Sequence, residues 1–162
     1  MPESYPLEAL LYVRTFREEA AKRQVSHAQL AVKLAKEKVD ELEGQLQAWR
    51  QWRDEETERR YQALLGKPTV IEKLNRFNTE LGLLAQDELL KVAAIDQAKN
   101  EVSKSEAQLM AAKQAVSKAR KETAKIETHK AIWTEEDKKE AERAEELEFE
   151  DFIPLKPVDD ES

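Results

Sequence analysis

No cysteine occurs among the 162 residues. That removes disulfide frameworks, cysteine-based zinc sites and thiol nucleophiles together. Glycine is nearly as scarce, at three positions, where a share of ~7% is usual. A loop-rich β fold or a βαβ enzyme with tight turns does not fit such a chain. Proline stands only at positions 2, 6, 68, 154 and 157, aromatic residues make up 6%, and there are two histidines. The longest apolar runs, such as Leu83-Leu84-Ala85 and Val92-Ala93-Ala94-Ile95, fall far short of the ~20 residues that span a bilayer, so no membrane insertion is expected. The opening Met-Pro-Glu-Ser-Tyr-Pro-Leu-Glu lacks the basic and apolar segments of a signal peptide, which makes a cytoplasmic protein the expectation.

What the chain does contain is charge and helix formers. Charged residues account for 38%, the net charge is −7 and the mean hydropathy is −0.78. Ala, Glu, Lys, Leu and Arg dominate, the composition of long helices and coiled coils. The apolar mass is too small for a wide core but sufficient for a narrow seam.

The sparse prolines place the elements. Leu7 to Leu65 and Thr69 to about Glu148 are free of proline, which predicts two very long helices, each on the order of 90–120 Å at about 1.5 Å per residue. The expected layout is all-α: helix 1 over about 6–65, a turn at 66–69, and helix 2 over about 70–148. Together they form a single antiparallel coiled-coil hairpin domain, residues 1–148. Residues 149–162 read as an acidic, proline-containing, flexible tail. Pro6 suits a first helical turn, Gly66 a left-handed helix end, and Thr69-Val70-Ile71-Glu72 a capping box.

Periodicity carries the fold. In helix 1 a 4-3 spacing runs Ala21, Val25, Ala28, Val32, Ala35, Val39, Leu42, Leu46, Trp49. In helix 2 the register starts at Leu74, Phe77, Leu81 and Leu84. It passes through Glu88 and Lys91, and resumes at Ile95, Ala98 and Val102 as far as Trp133. A seven-residue apolar repeat of this length specifies helices wound on one partner. If the turn centres near Lys67, residue i faces roughly residue 134−i. Val32 then lies near Val102 and Ala21 near Ala112, which favours an intrachain hairpin over a straight helix that dimerises. Between Ala85 and Ile95 the pattern is irregular, and a bend or register shift is expected there.

Catalytic chemistry finds no constellation. His27 and His129 are far apart in a hairpin, whereas zinc or base chemistry needs several groups at one point. No phosphate-binding Gly-rich loop is present. A narrow two-helix molecule offers no pocket to desolvate paired carboxylates, so neither enzymatic activity nor a cofactor or metal is expected. Charge is uneven: residues 99–130 carry eight Lys/Arg and four Glu, whereas 135–162 carry thirteen acids and four bases. Arg14, Arg17, Lys22 and Arg23 beside Arg120, Lys121 and Lys125 would form a basic collar suited to an acidic protein surface. Nucleic acid is not an expected partner, because aromatics do not interleave with the bases and the whole chain is acidic. At the other end, Trp49, Trp52, Tyr61 and Phe77 suggest either a small cluster capping the turn or a partner-binding tip.

Three stretches carry a family resemblance: Tyr5-Pro6-Leu7-Glu8, Trp52-Arg53-Asp54-Glu55-Glu56, and His129-Lys130-x-x-Trp133 leading into the Glu-rich end near Asp151-Phe152. With them the chain resembles the YscO-type proteins of type III secretion systems, related in shape to flagellar FliJ and the central stalk of rotary ATPases. Ile153-Pro154-Leu155-Lys156-Pro157 departs from that pattern. The resemblance implies a cytoplasmic accessory protein of a bacterial secretion apparatus, associated with virulence. Such a protein stands in the centre of the hexameric secretion ATPase and links it to the export gate, to export chaperones and to the needle-length control protein. Carried onto this sequence, it implies ATPase contacts at Leu7, Leu11, Arg14, Arg17, Lys121, Lys125, Lys130 and Trp133. It implies gate or partner contacts at Trp49, Trp52, Tyr61 and Phe77. The alternative reading of the same residues is a generic coiled-coil adaptor or chaperone-like hairpin that grips partners through its tip.

Overall fold

The computed structural model describes residues 4–66, 68 and 70–152. The described residues form two helices, α1 over Glu8–Leu64 and α2 over Ile71–Phe152, of 57 and 82 residues. The chain is a helical hairpin. Its contacts fall into two compact units, one drawn from Met1–Lys22 with Gln114–Ser162, the other from Arg23–Lys113. We call them the terminal unit and the turn unit.

Helix ends differ from expectation in small ways. Pro6 lies in a turn ahead of α1, and the first bonds close from Glu8 N–H to the Tyr5 carbonyl and from Leu11 N–H to the Leu7 carbonyl. After Leu64, Gly66 takes a left-handed backbone with φ +76°, the conformation that glycine adopts without a Cβ penalty. Thr69 of the predicted capping box lies outside the described residues. The first N–H groups of α2, from Lys73 and Leu74, are accepted by the Val70 carbonyl. Helix α2 continues to Phe152, beyond the predicted end near 148; Glu, Asp and Phe at 149–152 contain no breaker, and the first proline after them is Pro154. Pro154, Pro157 and the rest of the expected tail lie outside the described residues.

The core is the predicted seam. In the turn unit Val25, Ala28, Val32, Ala35, Val39, Leu42, Leu46 and Trp49 are buried or half-buried, and every α1 residue between them is exposed. On α2, Leu84, Ile95 and Ala98 are buried, with Val102, Ser105, Leu109 and Ala112 half-buried. Lys91 breaks the expected register: it is exposed, and the neighbouring Val92 is half-buried in its place. The seam hops by one residue there while the helix stays continuous. In the terminal unit the seam runs through Val116, Ala119, Thr123, Ile126 and Trp133. Thr123, 4% exposed, returns its hydroxyl to the Ala119 carbonyl at 3.0 Å. No described side chain is fully buried, as expected for a seam two positions in seven wide.

Interhelical pairs confirm antiparallel packing within each unit. In the turn unit Lys36 meets Glu106 at 3.6 Å and Lys99 meets Glu43 at 3.5 Å. In the terminal unit Glu18 meets Arg120 at 3.6 Å and Glu8 meets Lys130 at 2.8 Å. The 134−i rule places Ala98 opposite Lys36, two turns short of Glu106. The ion pairs lie eight residues beyond that rule in the turn unit and four beyond it in the terminal unit, so the register is shifted from the expected one. The lean of helical side chains toward their own N-terminus supplies only part of the displacement.

Candidate functional site

The terminal unit gathers two of the stretches that carry the family resemblance. Tyr5, ahead of α1, is only 6% exposed. Its ring lies 5.7 Å from that of His129 and 5.5 Å, edge-on, from that of Trp133. The Tyr5 hydroxyl and His129 Nδ1 share a hydrogen bond of 2.5 Å. Lys130 Nζ sits 6.0 Å from the Tyr5 ring and binds Glu8 at 2.8 Å. These contacts pin the start of the chain onto α2. The heptad pattern by itself assigns Tyr5 no contact. The register had offered the signal, because 134−i puts residue 5 opposite residue 129.

Part of the predicted basic collar is compensated within the chain. Arg14 pairs with Glu122 at 3.0 Å, and its Nε is buried without a hydrogen-bond partner among the described residues. Arg120 and Lys22 both reach Glu18, at 3.6 Å each. Acids at the seam edge thus pair with Arg14, Lys22 and Arg120. Of the ATPase-contact candidates, Lys130 and Trp133 are engaged within the chain and Leu11 is half-buried. Leu7, Arg17, Lys121 and Lys125 are exposed. Among the described residues, Arg17, Lys121 and Lys125 have no acid at ion-pair distance.

In the turn unit the seam becomes charged. Continuing the heptad past Trp49 brings Arg53, Glu56 and Arg60 to the interface, all half-buried. Glu88 answers them from α2: it accepts Arg50 Nε at 3.0 Å and forms a close ion pair with Arg53. Arg60 joins Glu56 and Glu80, each at 3.0 Å. The Glu56 carboxyl is held below the usual carboxylate range, first by hydrogen bonding from Arg59 and then by Arg60 and the positive charge of both. The predicted register ran through Glu88 on α2, and Arg53 is its counterpart on α1. Each is the complement of the other.

Trp49 lies half-buried at the head of this network. Arg53 and Lys91 each stand 5.4 Å from its ring, and Trp52 packs beside it with ring centres 6.4 Å apart. Trp52 and Tyr61 are 47% and 48% exposed, whereas Phe77 is half-buried. Among the described residues the ring contacts of this unit join the two tryptophans and leave Tyr61 and Phe77 apart, so the four predicted tip residues do not form one aromatic cluster. Surface depressions are open grooves, such as the one lined by Leu46, Arg50, Val92, Ile95 and Lys99. No described group of three or more His, Asp or Glu residues is arranged to hold a metal ion. No described helix is long and apolar enough to cross a membrane.

Comparison with known proteins decides the family. The sequence model for "Type III secretion protein YscO" matches residues 7–154. The chain belongs to the YscO family. Two solved structures share its fold. The type III secretion protein YscO from Vibrio parahaemolyticus superposes with TM-score 0.83 at 23% identity, over 90% of this chain and 92% of that one. A YscO homologue from Chlamydia trachomatis superposes with TM-score 0.74 at 24% identity, over 92% and 91%. No curated protein matches the sequence. This YscO-family chain is thus a type III secretion protein, with partners within that apparatus.

Proposed function

We propose that this chain is the central stalk of the secretion ATPase, on the cytoplasmic face of the apparatus. Its terminal unit contacts the hexameric ring, and its turn unit presents Trp49, Trp52, Tyr61 and Phe77 to the export gate, to export chaperones or to the needle-length control protein. Family membership over residues 7–154 carries the reading. The chemistry is compatible. Arg17, Lys121 and Lys125 are exposed on the terminal unit and supply cations for acidic ring surfaces, and Leu7 adds an apolar contact. One hairpin inside a six-fold ring touches its subunits unequally. It would bias each subunit through differential contacts as nucleotide state changes. The role is accessory, regulating an ATPase without catalysing a reaction itself.

The test is stimulation of a secretion ATPase by the purified protein. Arg17→Glu combined with Lys125→Glu should abolish stimulation while the far-UV circular dichroism remains helical. The wild-type effect should weaken as salt rises from ~0.05 to ~0.5 M, because exposed charges are screened. Unchanged stimulation by the double variant would remove these residues from the contact.

A further inference from the structure

The outer surface of α2 in the terminal unit carries a stripe that the hairpin leaves unused. Lys118, Lys121, Lys125, Thr128, Ile132, Glu135, Lys139, Glu142, Glu146 and Phe149 follow one another by three or four residues, so they share one side of the helix. That side is offset from the seam residues Val116, Ala119, Thr123 and Ile126, and all ten are exposed. The stripe is polarised. Its first part holds three lysines and no acid. Its last part holds Glu135, Glu142 and Glu146 with one lysine, and ends on Phe149, which is 70% exposed. From about residue 138 onward α2 is exposed on all sides.

A surface basic at one end and acidic at the other complements itself when a copy is laid against it head to tail. We propose that two copies of this chain associate through the α2 stripe, antiparallel, about a two-fold axis between residues 133 and 134. That register sets Lys125 across from Glu142, Lys121 across from Glu146, and Lys118 across from Phe149. Each pairing occurs twice, as an isologous interface requires. The Lys118 stem covers the Phe149 ring and brings its ammonium to it. Thr128 faces Lys139, so the one lysine in the acidic part meets no like charge. A parallel arrangement would stack lysine on lysine and glutamate on glutamate. The stripe spans about 47 Å at 1.5 Å per residue. Its apolar groups are few, so the association is electrostatic, weak and salt-sensitive.

Analytical ultracentrifugation of the full chain alone tests this, independently of any ATPase. The wild type should show concentration-dependent dimers at ~20 mM salt, with an association constant about tenfold or more weaker at ~0.5 M. Lys121→Glu with Lys125→Glu, and separately Glu142→Lys with Glu146→Lys, should each sediment as monomers. An equimolar mixture of the two variants should recover the dimer, because each basic surface then meets an acidic one. If a reversal variant lost helicity by circular dichroism, the neutral Lys→Gln and Glu→Gln pairs would replace it; each should weaken the dimer. A wild type that stays monomeric, a dimer that survives both reversals, or a mixture that fails to recover it overturns the proposal. Glu142→Lys with Glu146→Lys leaves Arg17, Lys121 and Lys125 in place. Loss of self-association in that variant is therefore separable from loss of the proposed ATPase contact.

Discussion

Tyr5 stands outside both helices, yet at 6% exposed it is among the best-covered side chains. Three observations combine in it: the hydroxyl bond to His129 at 2.5 Å, the edge contact with Trp133 at 5.5 Å and the nearby Lys130 ammonium. Removing only the hydroxyl, in Tyr5→Phe, should cost about 1 kcal/mol. Removing the ring, in Tyr5→Ala, should cost about 3 kcal/mol. Urea denaturation followed at the tryptophans would measure both, and the phenylalanine variant should keep the ring packing. The site was half visible in the sequence. The approximate register set residue 5 opposite residue 129, but heptad counting stops where the helix stops. Nothing in the pattern says that a residue ahead of α1 folds down onto α2.

At the scale of the element, the 4-3 spacing placed the apolar seam residue by residue in α1 from Val25 to Trp49. It worked because every position there is either plainly apolar or plainly polar. On α2 it placed Glu88 on the seam correctly and missed only Lys91, which is exposed where Val92 is half-buried. On α1 it stopped at Trp49, because from Arg53 to Arg60 the interface is built of charges that periodicity scores as solvent-facing. The 134−i register would not have found the pairs Arg53–Glu88 and Arg60–Glu80, since it sets Arg53 opposite Leu81 and Arg60 opposite Leu74. The Arg53–Glu88 pair also gives an energetic prediction. Half-buried ion pairs lose much of their Coulombic gain to desolvation, whereas breaking one leaves a partly desolvated charge. Glu88→Leu alone should therefore destabilise the chain by about 1–3 kcal/mol. Arg53→Leu with Glu88→Leu should recover that loss or exceed the wild type, as an apolar contact in the heptad seam. A double-mutant cycle by thermal melting would show a coupling of about 1 kcal/mol or more.

For the whole molecule, composition and the placing of the prolines already indicated long helices, and the matching of the two heptad seams made them a hairpin. The partners were not written in the pattern, since a heptad encodes only what the other helix needs. They came from family membership. Because contacts are made between neighbouring turns only, stability should be graded along the chain. Backbone hydrogen exchange should be slowest around Ile95–Leu109, where all seam residues but Ser105 are apolar and the facing α1 seam is apolar throughout. It should be fast from 138 to 152, where every residue is exposed, and intermediate across Arg53–Arg60. Uniform protection along α2, measured by mass spectrometry, would contradict this gradient.

The seven-residue seam also governs how such a gene can grow or shrink. Deleting one or two codons from either arm would rotate everything beyond the cut away from its counterpart. Removing seven from one arm alone would restore the rotation but slide the charged partners past each other. Viable length variants should therefore carry paired losses, a heptad on the way out and its opposite number on the way back. The stretch of α2 past residue 138 is exempt from this pairing within the hairpin, since every residue there is exposed, and a loss there should leave the two-helix seam in register while removing the acidic half of the outer stripe.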